Sequence, residues 1–107
     1  MNNDLLNIKN IRKCIEERKI YWTKHCLNRL NQRNILISEI KYAIENGEII
    51  EYYYDDYPYP SCLILGTTMK NKLIHIVCGI SGDRLYIVTA YYPEINEWEK
   101  DMKTRRK

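Results

Sequence analysis

Two histidines, His25 and His75, are the side chains of this chain best suited to move a proton near neutral pH. His25 stands two residues after Thr23, a candidate helix N-cap. It therefore falls near the positive end of a helix dipole, a setting for a neutral imidazole that accepts a proton. Arg29 and Arg33 follow at four-residue intervals, on the same helix face. A general base beside guanidinium groups suits attack on a phosphodiester. The arginines would hold the phosphate bidentately and stabilise the charge added in the transition state. The same spacing also fits a solvated helix face.

His75 interrupts the apolar run Leu73-Ile74-His75-Ile76-Val77, where an uncommitted polar group is costly. Either it is a satisfied core histidine or it serves a site. Its neighbours depend on strand register. A three-residue turn at Ser81-Gly82-Asp83 pairs His75 with Thr89 and Leu73 with Tyr91, and builds a polar patch of His75, Thr89 and Tyr91. A two-residue turn at Gly82-Asp83 pairs Ser81 with Arg84 and swings Thr89 to the other face. Both registers remain open at this level.

Metal and cofactor chemistry is not expected. Cysteines stand at 14, 26, 62 and 78 without a C-x-x-C pair, and read as reduced, small hydrophobic residues. Asp55 and Asp56 are adjacent, so in a strand they point to opposite faces. No phosphate loop, dinucleotide fingerprint or nucleophile elbow occurs.

The elements that must position these residues change character halfway along the chain. Leu5, Ile8, Ile11, Cys14 and Ile15 recur at helical spacing and predict a helix over about residues 4–18. Thr23 caps a second, running to about Asn34, with Cys26, Leu27 and Leu30 facing inward. Ser38 caps a third, with Gly47 as a left-handed terminator. Residues 48–54, 61–68, 73–80 and 84–92 then read as strands joined by short links. The expectation is an α+β fold, two or three N-terminal helices on one face of a four-stranded antiparallel sheet.

With 107 residues, 45% hydrophobic and 29% charged, the composition suits one globular domain spanning 1–107. It divides into an N-terminal helix (1–20), a core (21–98) and a basic tail (99–107). The net charge of +3 is too mild to demand a nucleic-acid partner. Basic residues nevertheless gather in Lys9–Arg33 and Lys100–Lys107, and acids in Glu45–Asp56. The tail reads either as a frayed terminus or as a track for a phosphate backbone. The ten tyrosines, with no phenylalanine, read as a compositional bias. No apolar run approaches the ~20 residues of a membrane span. Met1-Asn2-Asn3-Asp4 has no signal-peptide character, so a cytoplasmic location is expected.

The stretch from Tyr21 to Ile35, with Thr23-Lys24-His25 followed by Arg29, Arg33 and Asn34-Ile35, resembles the opening motif of a bacterial family of uncharacterised domains. The likeness continues through Asn46–Glu51, Pro60–Gly66, Leu73–Val77 and Ile87–Pro93 to about Trp98. That family is similar to the group uniting RelE, BrnT, barnase and the colicin ribonucleases. The resemblance implies a toxin-like, metal-independent endoribonuclease with a RelE/BrnT-like fold. Its partners would be RNA and a cognate antitoxin, often of zinc-finger type. Carried over by position, the catalytic candidates are His25, Arg29, His75, Thr89 and Tyr91. The RNA-binding candidates are Arg33 and Lys72, with Arg105 and Arg106 added from the basic tail, which lies outside the likeness. The implied reaction is attack by a ribose 2′-hydroxyl, giving a 2′,3′-cyclic phosphate. One histidine would act as base, and the other, or Tyr91, as acid. The alternative is a non-enzymatic RNA- or protein-binding module.

Overall fold

The computed structural model describes residues 5–105. Three helices and five strands follow in the order α1 (Ile8–Glu16), β1 (Ile20–Trp22), α2 (Lys24–Gln32), α3 (Ile37–Asn46), β2 (Glu48–Tyr53), β3 (Ser61–Thr67), β4 (Leu73–Ser81) and β5 (Arg84–Tyr91).

The helices start where local hydrogen bonding permits. Asn7 caps α1, its side chain accepting from the Asn10 N–H at 2.8 Å, so α1 is shorter than 4–18 and residue 4 lies outside the described residues. Leu6, not Leu5, is buried. Thr23 caps α2 as its sequence position predicts, accepting from the Cys26 N–H at 2.9 Å. Cys26 and Leu30 face the core, whereas Leu27 is exposed. Helix α3 begins earlier than Ser38 predicts: the Leu36 N–H donates to the Glu39 carboxylate at 2.8 Å, taking the place of a side-chain cap. Gly47 ends α3 in an extended conformation (φ −91°), not a left-handed one. Its lack of a side chain answers to space instead, since a Cβ would lie 2.6 Å from the Ala43 carbonyl oxygen.

The sheet departs from the four-stranded antiparallel expectation. It has five strands in the order β1-β5-β4-β3-β2 and is mixed, because β1 runs parallel to β5 with Tyr21 beside Tyr86. Three residues between two helices carry too little periodicity to announce a strand, and a parallel pairing 65 residues away has no local signature. The RelE/BrnT-type topology is therefore not the topology of this chain. The toxin, endoribonuclease and RelE-like descriptions lose whatever support that topology lent them.

Side chains from Cys62, Ile64, Ile74, Ile76, Cys78, Leu85, Ile87 and Ala90 form one buried cluster with those of the three helices. The opposite face carries Glu51, Tyr53, Leu63, His75, Thr89 and Tyr91, strand side chains alternating except where the register shifts in β2 and β5. Residues 94–105 cross this second face as a strap, and Trp98 is buried in it at 1% exposure. No described helix is long and apolar enough to cross a membrane.

Candidate functional site

Register decides what surrounds His75. The β4–β5 hairpin takes the two-residue turn, with Ser81 opposite Arg84 and Gly82 at φ +62° in its first central position. A bulge then inserts Val88 between Ile87 and Thr89, and reverses the alternation. His75 consequently faces Tyr91, Val77 faces Thr89, and all three polar residues share one face. Neither simple register contains this arrangement. It needs the short turn and the bulge together.

Within that patch His75 is closed to solvent, whereas Thr89 and Tyr91 are half-buried. His75 has no exposed surface, and its ring meets Trp98 edge-on at 4.5 Å and Tyr91 at 5.4 Å. Its Nε2 lies 2.8 Å from the Met102 carbonyl oxygen, which can only accept, so the proton sits on Nε2. Nδ1 is buried without a partner. Burial pushes the imidazole below its ordinary value, only partly countered by the Met102 carbonyl and Glu51. Arg105 is engaged with Glu51 at 3.0 Å and lies over the Trp98 ring at 4.6 Å. Arg106 lies outside the described residues. Lys72 is exposed, with its ammonium 5.4 Å from the Tyr92 ring centre.

His25 stands elsewhere, exposed at the start of α2. It lines a cleft of about 420 Å³ with Tyr21, Thr23, Asp56, Tyr59 and Tyr86. The walls are aromatic. Tyr86 packs against Tyr21 at 5.3 Å and Tyr59 at 5.0 Å. Partial desolvation, then the neighbouring Tyr59, push the Tyr86 phenol up, so it keeps its proton at neutral pH. Asp56, which also lines the cleft, accepts from the Ser61 hydroxyl. Arg29 follows one helical turn from His25, exposed. Arg33, another turn on, donates to the Ala90 carbonyl at 2.8 Å and the Thr89 hydroxyl at 3.1 Å. Beyond β1 this guanidinium takes the place of a further strand on β5. Arg33 and Tyr91 also line a second hollow, whose rim carries Glu94 and Glu97.

The sequence-predicted residues thus divide. His25, Arg29 and Arg33 form one stripe along α2, and Thr89 joins it through Arg33. His75 is sealed under Trp98 and contributes nothing to the His25 cleft. Tyr21, Tyr59, Tyr86 and Asp56 were not among the candidates. Only the parallel β1–β5 pairing puts Tyr21 beside Tyr86, which explains why composition alone did not single them out. Among the described residues no three His, Cys, Asp or Glu side chains gather as a metal ion would require.

A family model described as a domain of unknown function, DUF4258, matches residues 22–92. The chain belongs to the DUF4258 family. No curated protein and no solved structure matches it. The DUF4258 match opens at the last residue of β1 and closes just past β5, so it contains His25, Arg29, Arg33, His75, Thr89 and Tyr91. Helix α1 and the whole strap, with Trp98 and Arg105, fall outside the matched DUF4258 residues.

Proposed function

We propose that this DUF4258 protein binds single-stranded RNA in the His25 cleft and along the α2 stripe, and cleaves it there without a metal ion. The observation that carries the reading is the cleft itself: an exposed imidazole among four tyrosines, Tyr21, Tyr57, Tyr59 and Tyr86, continued by Arg29 on the same helix face. Tyrosine faces stack unpaired bases without demanding a sequence, and exposed guanidinium groups hold phosphates. His25 takes the proton from a ribose 2′-hydroxyl, whose oxygen attacks the adjacent phosphorus. Arg29 stabilises the charge on the pentacoordinate phosphorane. The protonated Tyr86 phenol supplies the proton to the departing 5′-oxygen, leaving a 2′,3′-cyclic phosphate. This assignment moves the acid from His75 to a phenol in the same cleft as the base.

The implied kinship with the RelE, BrnT, barnase and colicin ribonucleases adds nothing through topology, so the reading stands on cleft chemistry. An antitoxin-like protein covering the α2 stripe is the protein partner that this reading calls for. One observation favours a binding-only role: the second histidine is sealed away from the cleft. Incubation with single-stranded RNA in excess chelator separates the two. Fragments ending in 2′,3′-cyclic phosphates support cleavage. Tight binding with intact RNA leaves the binding module, and absence of binding overturns both.

A further inference from the structure

We infer that His75 is the latch of an acid-released strap: protonation of its ring frees residues 94–105 from the sheet and uncovers Glu51, Tyr53 and Tyr91. This inference stands independently of the His25 cleft.

The strap is tied mostly to itself along its backbone. Glu97 N–H donates to Glu94 at 3.0 Å, Met102 to Glu99 at 2.8 Å and Glu99 to Thr104 at 2.7 Å, and Trp98 bridges Arg105. Side chains fasten it to the sheet. At its rim stand Lys103–Glu48 at 2.9 Å, an exposed pair that contributes little, and Arg105–Glu51 at 3.0 Å, whose half-buried carboxylate also accepts from Tyr53. At its centre, Trp98 covers the His75 ring, and Nε2–H reaches the Met102 carbonyl.

Among the described residues no other buried side-chain nitrogen or oxygen lacks a partner, so Nδ1 of His75 is an exception that needs a reason. In the neutral ring Nδ1 is a bare acceptor, and its isolation is tolerable. Once protonated it becomes a donor with nothing to receive it, on a cation enclosed by Trp98 and Tyr91. The charged and titratable groups around it are Glu51 and Tyr53 from β2, Tyr91 from β5, and Arg105 from the strap. Glu51 attracts the cation, but Tyr53 and Arg105 already occupy its carboxylate, and Arg105 repels the new charge.

The sign follows from linkage. The closed strap holds His75 below its ordinary 6.5, so closure is full above that value and weakens as pH falls towards the folded one. Burial alone would raise Glu51, but the Tyr53 and Arg105 hydrogen bonds outweigh it and hold the carboxyl below 4.5, so Glu51 stays ionised while His75 titrates and release does not come from loss of its charge.

Hydrogen exchange of the whole chain, corrected for intrinsic rates, tests this between about pH 7.5 and about pH 5. Exchange across 97–105 should accelerate by up to about tenfold per pH unit, while β3 and β4 stay protected. His75→Gln, which can still donate to Met102 but cannot titrate, should remove that pH dependence. Should that variant not fold, the imidazole resonance of His75 in the unaltered chain must titrate over the same range in which the strap opens. Equal strap protection at both pH values, loss of the sheet together with the strap, or unchanged pH dependence in His75→Gln would overturn the proposal.

Discussion

Arg33 donates to the Ala90 carbonyl oxygen at 2.8 Å, and so closes the edge of β5 at the point where β1 ends. A residue chosen for phosphate contact from its spacing is therefore also part of the sheet. Arg29, one turn earlier on the same face, is exposed.

The two arginines should separate by substitution. Arg33→Ala leaves the carbonyl of a buried residue unpaired and removes a charge-assisted bond, at a cost of about 1–3 kcal/mol. Arg29→Ala should change stability by less than about 0.5 kcal/mol. It should instead weaken RNA binding and reduce the salt slope by about one. Urea titrations and binding at several salt concentrations read both effects.

Gly47→Ala should destabilise the fold by about 1–3 kcal/mol, because the added methyl meets two backbone oxygens and the fully buried, β-branched Ile64 side chain. Its Cβ would lie 2.6 Å from the Ala43 oxygen and 2.8 Å from that of Leu65. A fall in the denaturation midpoint checks this. Unchanged stability would show that α3 and β3 can move apart at no cost.

Tyr53 gives an alkaline signature. Burial first, then its bond to Glu51 at 2.5 Å, push the phenol up to about 12 from an ordinary 10. The folded chain thus keeps a proton that the unfolded chain loses. The stability this contributes is present below 10 and is lost as pH rises through about 12. Phenolate absorbance should still be rising near pH 12, and Tyr53→Phe should remove one tyrosine's share of that latest part.

The contrast between Thr23 and Tyr21 shows how far the sequence could be read. Thr23 acts through a bond three residues away, so its capping role was legible from local chemistry. Tyr21 matters because it lies beside Tyr86, 65 positions away in a parallel pairing, which no local pattern encodes. The same limit applies to His75. Its apolar setting pointed to burial or to a site, but the bulge at Val88 and the strap carrying Trp98 decided which residues surround it. Of the basic tail, charge alone suggested a phosphate track. In the fold, Lys103 and Arg105 instead meet the acids of β2.

The central claim is that His25, and not His75, serves the chemistry. Cleavage of single-stranded RNA in chelator, compared among the wild type, His25→Ala and His75→Gln, tests it most directly. The wild type should give 2′,3′-cyclic phosphate ends, His25→Ala should cleave about a hundredfold or more slowly, and His75→Gln should keep cleaving at neutral pH. Full activity in a folded His25→Ala protein, or activity lost only in His75→Gln, would contradict it.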